Sequence, residues 1–260
     1  IEAVINDLKK NRIQQSEYNW SRSNDMVMAF TNNMPWQQMV ESVETLKRFT
    51  KEDIVKFANE KYGNNYVVVY KRNGKDPNAR KVTKPEITRV ALNKEAKSPF
   101  HEELLNSKPP KLEPRFLDYE KDVQKLAMNK NVPVLYAPNT ENELFTLYYL
   151  SDVGTNNDPT LKIAVEYLEY LGTSQMSNEE FKKELYKIGC NFGVFAAEDR
   201  TYIYLNGLSE HMDKAIALFE QLLADPKPDE EALKKVVDGI FKKRDDVKKD
   251  KFAILYQGLL

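Results

Sequence analysis

Cysteine is almost missing from this sequence and histidine nearly so: Cys190 stands alone, and His101 and His211 are the only imidazoles in 260 residues. A single thiol excludes an internal disulfide, so thiol usage does not indicate a compartment. At these separations Cys190, His101 and His211 form no ligand set with metal-site spacing. Cys190 reads as a small buried side chain beside Gly189, and both histidines as exposed or locally bonded. No apolar run approaches the length that spans a bilayer. Also absent are G-x-G-x-x-G, G-x-x-x-x-G-K-[ST] and G-x-S-x-G, which leaves nucleotide binding and a serine nucleophile elbow without support. Neither sign of charge prevails: 39 basic and 40 acidic residues leave a net charge of -1. That balance gives no electrostatic reason to expect nucleic acid or an anionic membrane as partner.

What is present is an ordinary globular composition, 41% hydrophobic and 30% charged, at a length suited to one large or two modest domains. The chain opens at Ile1 without a methionine. It closes at Gly258-Leu259-Leu260, directly after the apolar run from Phe252 to Tyr256. It is therefore expected to be an internal stretch of a longer protein.

Taken in order, Ile1, Val4, Ile5, Leu8 and Ile13 mark the apolar side of a helix reaching about Asn19. Asn32, Asn33 and Pro35 make a break, and Trp36, Met39, Val40, Val43 and Leu46 predict one further helix. Thr50 with Asp53 predicts the capped start of another helix, which ends at Gly63. Tyr66 to Tyr70 is β-branched and aromatic throughout and predicts a strand. Six of the twelve prolines then fall between Pro77 and Pro114, which predicts an extended linker with one short helix near Phe100 to Leu105.

Val132 to Ala137 and Glu143 to Tyr149 predict two strands joined by a Pro138-Asn139 turn. Ser177 with Glu180 makes a capping box for a helix that Gly189 stops. Asn191 to Ala197 and Thr201 to Asn206 predict a hairpin, and Ser209 is expected to cap the next helix. Pro226 and Pro228 precede a last charged helix through Leu233, Val236, Val237 and Ile240, whose Lys-Asp run from Lys242 to Lys251 suits a solvated face. Tyr148-Tyr149 and Tyr202-Tyr204 could line a peptide cleft or lie in the core.

Between these elements, residues 163–173 read I-A-V-E-Y-L-E-Y-L-G-T, with Ile163, Ala164, Tyr167, Leu168 and Leu171 on a helical stripe. Glu166 lies one residue before Tyr167 and three after Ile163, so all three project from nearly one side of a helix. This is the geometry of H-x-x-E-H, in which two histidines bind zinc and the glutamate is the general base. The stretch resembles the motif helix of the pitrilysin and insulin-degrading-enzyme (insulinase) zinc metallopeptidases, with Ile163 and Tyr167 in the histidine places and Glu166 at the glutamate. The flanking order strengthens the resemblance: strand, turn, strand, the loop Gly154 to Asp158, then a helix ending in Gly172-Thr173.

The resemblance implies an α+β chain of two partial insulinase-like domains, mainly antiparallel sheet with helices packed on it, joined by a long Pro-rich linker. Residues 1–72 would close one domain, 73–118 would join the two halves, and 119–260 would open a non-catalytic domain. It places a third ligand, a glutamate, at the start of the last helix; Leu233 holds that register here, with Glu230 and Glu231 within a turn. Isoleucine has no donor atom, so no catalytic or metal-binding residue is expected in this chain. Zinc is expected in the catalytic half of the parent, which with peptide substrates would be the partner. Glu166 is a relic or a surface residue. The implied function is a non-catalytic portion of a peptide-hydrolysing chamber; the alternative is a structural or partner-subunit module from an inactive member. A bacterial periplasm or cell-envelope location is a family-level expectation.

Overall fold

The computed structural model describes residues 1–74, 82–129 and 132–259. Residues 75–81 of the expected linker and the terminal Leu260 lie outside them. The chain forms two compact units. One comprises Ile1–Lys61 and the residues from Pro138 onward, the other Tyr62–Ala137.

The first unit opens with helices α1 (Glu2–Ser16), α2 (Asn19–Thr31), α3 (Trp36–Val40), α4 (Ser42–Leu46) and α5 (Lys51–Lys61). Sequence periodicity leaves α2 unmarked, and Tyr18 before it makes no side-chain cap. The single helix expected from Trp36 to Leu46 is broken at Glu41, whose φ of -84° and ψ of 7° leave the helical region. At α5 the expected cap is complete. The Thr50 N–H donates to Asp53 Oδ2 at 2.8 Å, and the Asp53 N–H donates back to Thr50 Oγ1 at 3.2 Å.

In the second unit, Tyr66 to Tyr70 joins no strand ladder among the described residues, so the expected strand is not formed. Val67 and Val69 are 91% and 88% exposed. High β-propensity measures fit to a pleated, half-buried surface, and without a cross-strand neighbour it stabilises nothing. Helix α6 (Pro99–Asn106) starts where Ser98 Oγ accepts the His101 N–H and Pro99 occupies the first turn. Strands β1 (Gln124–Asn129) and β2 (Val132–Tyr136) pair antiparallel, Leu126 opposite Val134. The expected hairpin of Val132–Ala137 with Glu143–Tyr149 is thus corrected, since β2 takes β1 as its partner.

The rest of the first unit begins with β3 (Leu144–Ser151), followed by α7 (Leu161–Leu168), β4 (Gly172–Thr173), α8 (Asn178–Lys187), β5 (Cys190–Ala196) and β6 (Thr201–Leu208). Helix α9 (Met212–Ala224), strand β7 (Pro226–Lys227), helix α10 (Glu230–Val247) and the short α11 (Lys251–Ala253) follow, ending in a π-helical turn, Ile254–Leu259. Strands β3, β6 and β5 form one antiparallel sheet in that order. The Asn191–Asn206 hairpin therefore joins Leu144–Ser151, but the Val132–Tyr136 strand lies in a different sheet. Ser209 heads a 3-10 turn, not a capped helix, and donates only its N–H, to Glu143 O.

The period of two along the sheet separates its faces. Leu147, Leu205 and Phe192 lie in register and face the helices. With Phe219 and Leu222 of α9 and Phe181 and Leu185 of α8 they form the core, in which Leu205, Phe219 and Leu222 are fully buried. Burial of each such side chain is worth roughly 1.5–3 kcal/mol. Ser177 and Glu180 complete the capping box that starts α8, and Gly189, at φ +62°, ends it. On the outer face Tyr148 lies beside Tyr204, ring centroids 6.0 Å apart, and Phe195 stacks on Tyr202 at 4.6 Å. Of the tyrosine pairs named in the sequence, Tyr148-Tyr149 is thereby split, Tyr149 facing the core 6.1 Å from Phe219 while Tyr148 is 55% exposed, and Tyr202 and Tyr204 share the outer face.

Candidate functional site

The motif helix is shorter than its apolar pattern suggests. It ends at Leu168, Tyr170 and Leu171 close a turn onto Tyr167 and Leu168, and Gly172–Thr173 leaves the helix altogether to pair antiparallel with Pro226–Lys227. Its buried face is also rotated from the expected one: Val165 is buried, whereas Ile163 and Ala164 are exposed. Beyond it, Leu171 is buried in the core, and Asn178 Nδ2 donates to the carbonyls of Glu169 and Leu171.

Of the three motif positions, Ile163 and Glu166 face solvent. Tyr167 does not. The residue is half-buried, and its hydroxyl donates to the Asp229 carbonyl at 2.8 Å and accepts the Asp229 N–H at 2.6 Å. Asp229 is the N-cap of α10, its Oδ1 accepting the Ala232 N–H at 2.9 Å. The start of the last helix is thus brought to the motif helix. The contact runs through a phenol and a backbone. Leu233, in the third-ligand register, is 38% exposed, and Glu231 pairs with Lys235 at 2.8 Å. Ile163 and Leu233 supply no donor atom and the Tyr167 hydroxyl is already engaged at both its donor and acceptor sites, so this constellation does not fit a zinc ion.

The tie at Tyr167 continues as a seam along the chain that leads into α10. The Ser174 N–H donates to Asp225 Oδ2 at 3.1 Å, and the Ser174 hydroxyl donates to the same oxygen. Those two bonds, the hydroxyl's first, hold the Asp225 carboxyl below its usual range. Then come the pairs Thr173 with Pro226 and Gly172 with Lys227, and finally Tyr167 with Asp229. Nothing in the local sequence announced this role for Tyr167, which only the distant Asp229 completes.

The remaining polar candidates stay apart. His101 lies in the exposed α6 of the other unit, and His211 closes the 3-10 turn before α9. Cys190 is buried, its thiol pushed up to about 11 by desolvation, and Sγ donates to Ile188 O at 3.5 Å. Among the described residues no group of three or more His, Cys, Asp or Glu gathers as metal ligands do, and no helix is long and apolar enough to cross a membrane.

Residues 164–259 match the family model Insulinase (Peptidase family M16). Mitochondrial-processing peptidase subunit beta of Neurospora crassa is 20% identical over 95 residues, which cover 36% of this chain and 20% of that protein. The match therefore spans about a fifth of that relative's length. Among solved structures, the peptidase M16 inactive domain from Pseudomonas fluorescens aligns at a TM-score of 0.46 and 18% identity, covering 50% of this chain and 32% of that one. The periplasmic protease PqqL from Escherichia coli aligns at 0.44 and 11%, covering 91% and 28%. The family match covers α7 from its second turn, the β5–β6 hairpin, α9 and α10, the elements that carry the motif helix and its seam. Residues 164–259 belong to an insulinase-family (peptidase family M16) domain.

Proposed function

We propose that this chain is a non-catalytic portion of a zinc metallopeptidase, contributing wall and peptide-contacting surface to an enclosed chamber whose zinc site lies elsewhere in the parent protein. The observation that carries this reading is the pairing of a family match with the side chains at the motif. In the register of the sequence resemblance, Ile163, just outside the matched residues 164–259, and a hydrogen-bonded Tyr167 take the two histidine places of the family's catalytic helix. Zinc would polarise the scissile carbonyl and activate water in the catalytic half. The residues here supply shape: the outer sheet face with Tyr148, Leu150, Phe195 and Tyr202 offers apolar and aromatic contact to an extended peptide. A second reading is a structural or partner-subunit module from an inactive member of the family; the matched relative's name, a peptidase subunit, supports the subunit part of it alone.

Peptide hydrolysis with added zinc distinguishes the two. This chain alone should be silent, and the chain joined to the preceding half of its parent should cleave. Silence of the longer protein, folded and metal-replete, would replace the chamber reading with the partner-subunit one. Cleavage by this chain alone would defeat both.

A further inference from the structure

The mismatch between the motif helix and a zinc site leads to a role for Tyr167. The chain entering α10 reads P-K-P-D, Pro226 to Asp229. Neither proline has an N–H, so the backbone donors of this approach are those of Lys227 and Asp229. Both residues are exposed, so water is open to each donor, yet each has a protein partner. Lys227 is paired with Gly172, while the Asp229 N–H is met by the Tyr167 hydroxyl, which donates its own proton back to the Asp229 carbonyl. That carbonyl also accepts the Leu233 N–H at 3.0 Å, closing the first turn of α10. The Asp229 carboxylate meanwhile caps Ala232. One phenol thus holds both backbone groups of the residue that starts the helix, and Val165 of α7 and Ala232 and Val236 of α10 are buried.

We propose that Tyr167 is a hydroxyl latch that holds the start of α10 on the motif helix without any metal. In the family the sequence resembles, the zinc ion is shared between the motif helix and the last helix. Here two hydrogen bonds from one side chain make that connection. The latch stands on these contacts and does not depend on the chamber reading. Its loss frees the N-cap and the adjoining Pro226–Lys227 pairing, so the first turn of α10 opens locally while the sheet stays closed.

Residue-resolved hydrogen exchange on the 260-residue chain tests this. In the wild type the Asp229 amide should be protected like the Ala232 amide, whose acceptor is also a side chain. Tyr167→Phe keeps the ring and removes the hydroxyl; exchange at Asp229, Ala232 and Leu233, the amides with acceptors here, should rise about tenfold, the effect of losing roughly one to two net hydrogen bonds. Leu205 in β6 should not change. Tyr170→Phe, at an exposed ring 5.4 Å from Lys182 Nζ, should leave every amide as it was. Zinc added to the chelator-washed wild type should leave Asp229 to Leu233 unaltered. Open-chain exchange of the wild-type Asp229 amide, unchanged exchange in Tyr167→Phe, or slowing by zinc would each overturn the latch. Should the variant not fold, the wild-type Asp229 amide and the zinc arm decide the matter by themselves.

Discussion

Alanine at Gly172 and alanine at Gly239 should move stability in opposite directions. Gly172 ends the motif stretch at a point where β4 crosses the cap of α8. A methyl group there would sit 2.4 Å from Met176 O, 2.7 Å from Asn178 N and 2.8 Å from Ser177 C. All three are backbone atoms, so no side chain can swing aside, and either β4 or the start of α8 must shift. Overpacking of this kind costs roughly 1–3 kcal/mol. Displacing the Ser177 capping box would add about 1 kcal/mol, so Gly172→Ala should lose roughly 2–4 kcal/mol. Gly239 lies inside α10, and a methyl group there meets nothing within 4 Å. Alanine at that position should gain about 0.5–1 kcal/mol, because the unfolded chain loses freedom and the helix loses nothing. Urea titration followed by far-UV circular dichroism compares the midpoints at equal slope. The reasoning is refuted if Gly172→Ala stays within about 0.5 kcal/mol of wild type, or if Gly239→Ala is the less stable protein.

Three further outcomes follow from other parts of the first unit. Phe219 is fully buried, 5.2 Å from the Phe192 ring, so Phe219→Ala should cost roughly 3–5 kcal/mol in the same titration. Ser177→Ala should cost about 1 kcal/mol. The Ser177 N–H, and after it the Ser177 hydroxyl, lower the folded-state Glu180 carboxyl below its ordinary value. The associated stability is therefore present above the unfolded carboxylate range and lost as pH falls through the depressed folded value. The variant should lose less than wild type over that acid window, as read from urea midpoints between neutral and acid pH. Cys190, with its thiol at about 11 because of burial, should react with an alkylating reagent at pH 8 far more slowly in the folded chain than in urea; equal rates would contradict its placement.

How far the sequence was legible depended on the range of the signal. Capping boxes at Thr50–Asp53 and Ser177–Glu180, the stop at Gly189 and the β5–β6 hairpin are written within a few residues of where they act, and the structure has them there. Pairing between distant segments is not written locally. β3 pairs with β6 some fifty residues away, β2 takes β1, and Tyr66 to Tyr70 takes no strand among the described residues. The same range limit applies at the motif helix. Counting from Gly172-Thr173 identified Ile163 and Tyr167 as the positions of interest, but the length of α7 and its buried Val165 follow from the turn into β4. That Tyr167 holds Asp229 depends on two prolines sixty residues downstream, which the motif pattern does not contain.

The central claim is that this segment keeps the motif helix of a zinc peptidase without its zinc. Zinc content after chelator washing, re-exposure to zinc and desalting tests it most directly. A value far below one equivalent per chain is the outcome expected from Ile163, an engaged Tyr167 hydroxyl and Leu233. One retained equivalent would contradict the account and require a ligand set elsewhere in the chain.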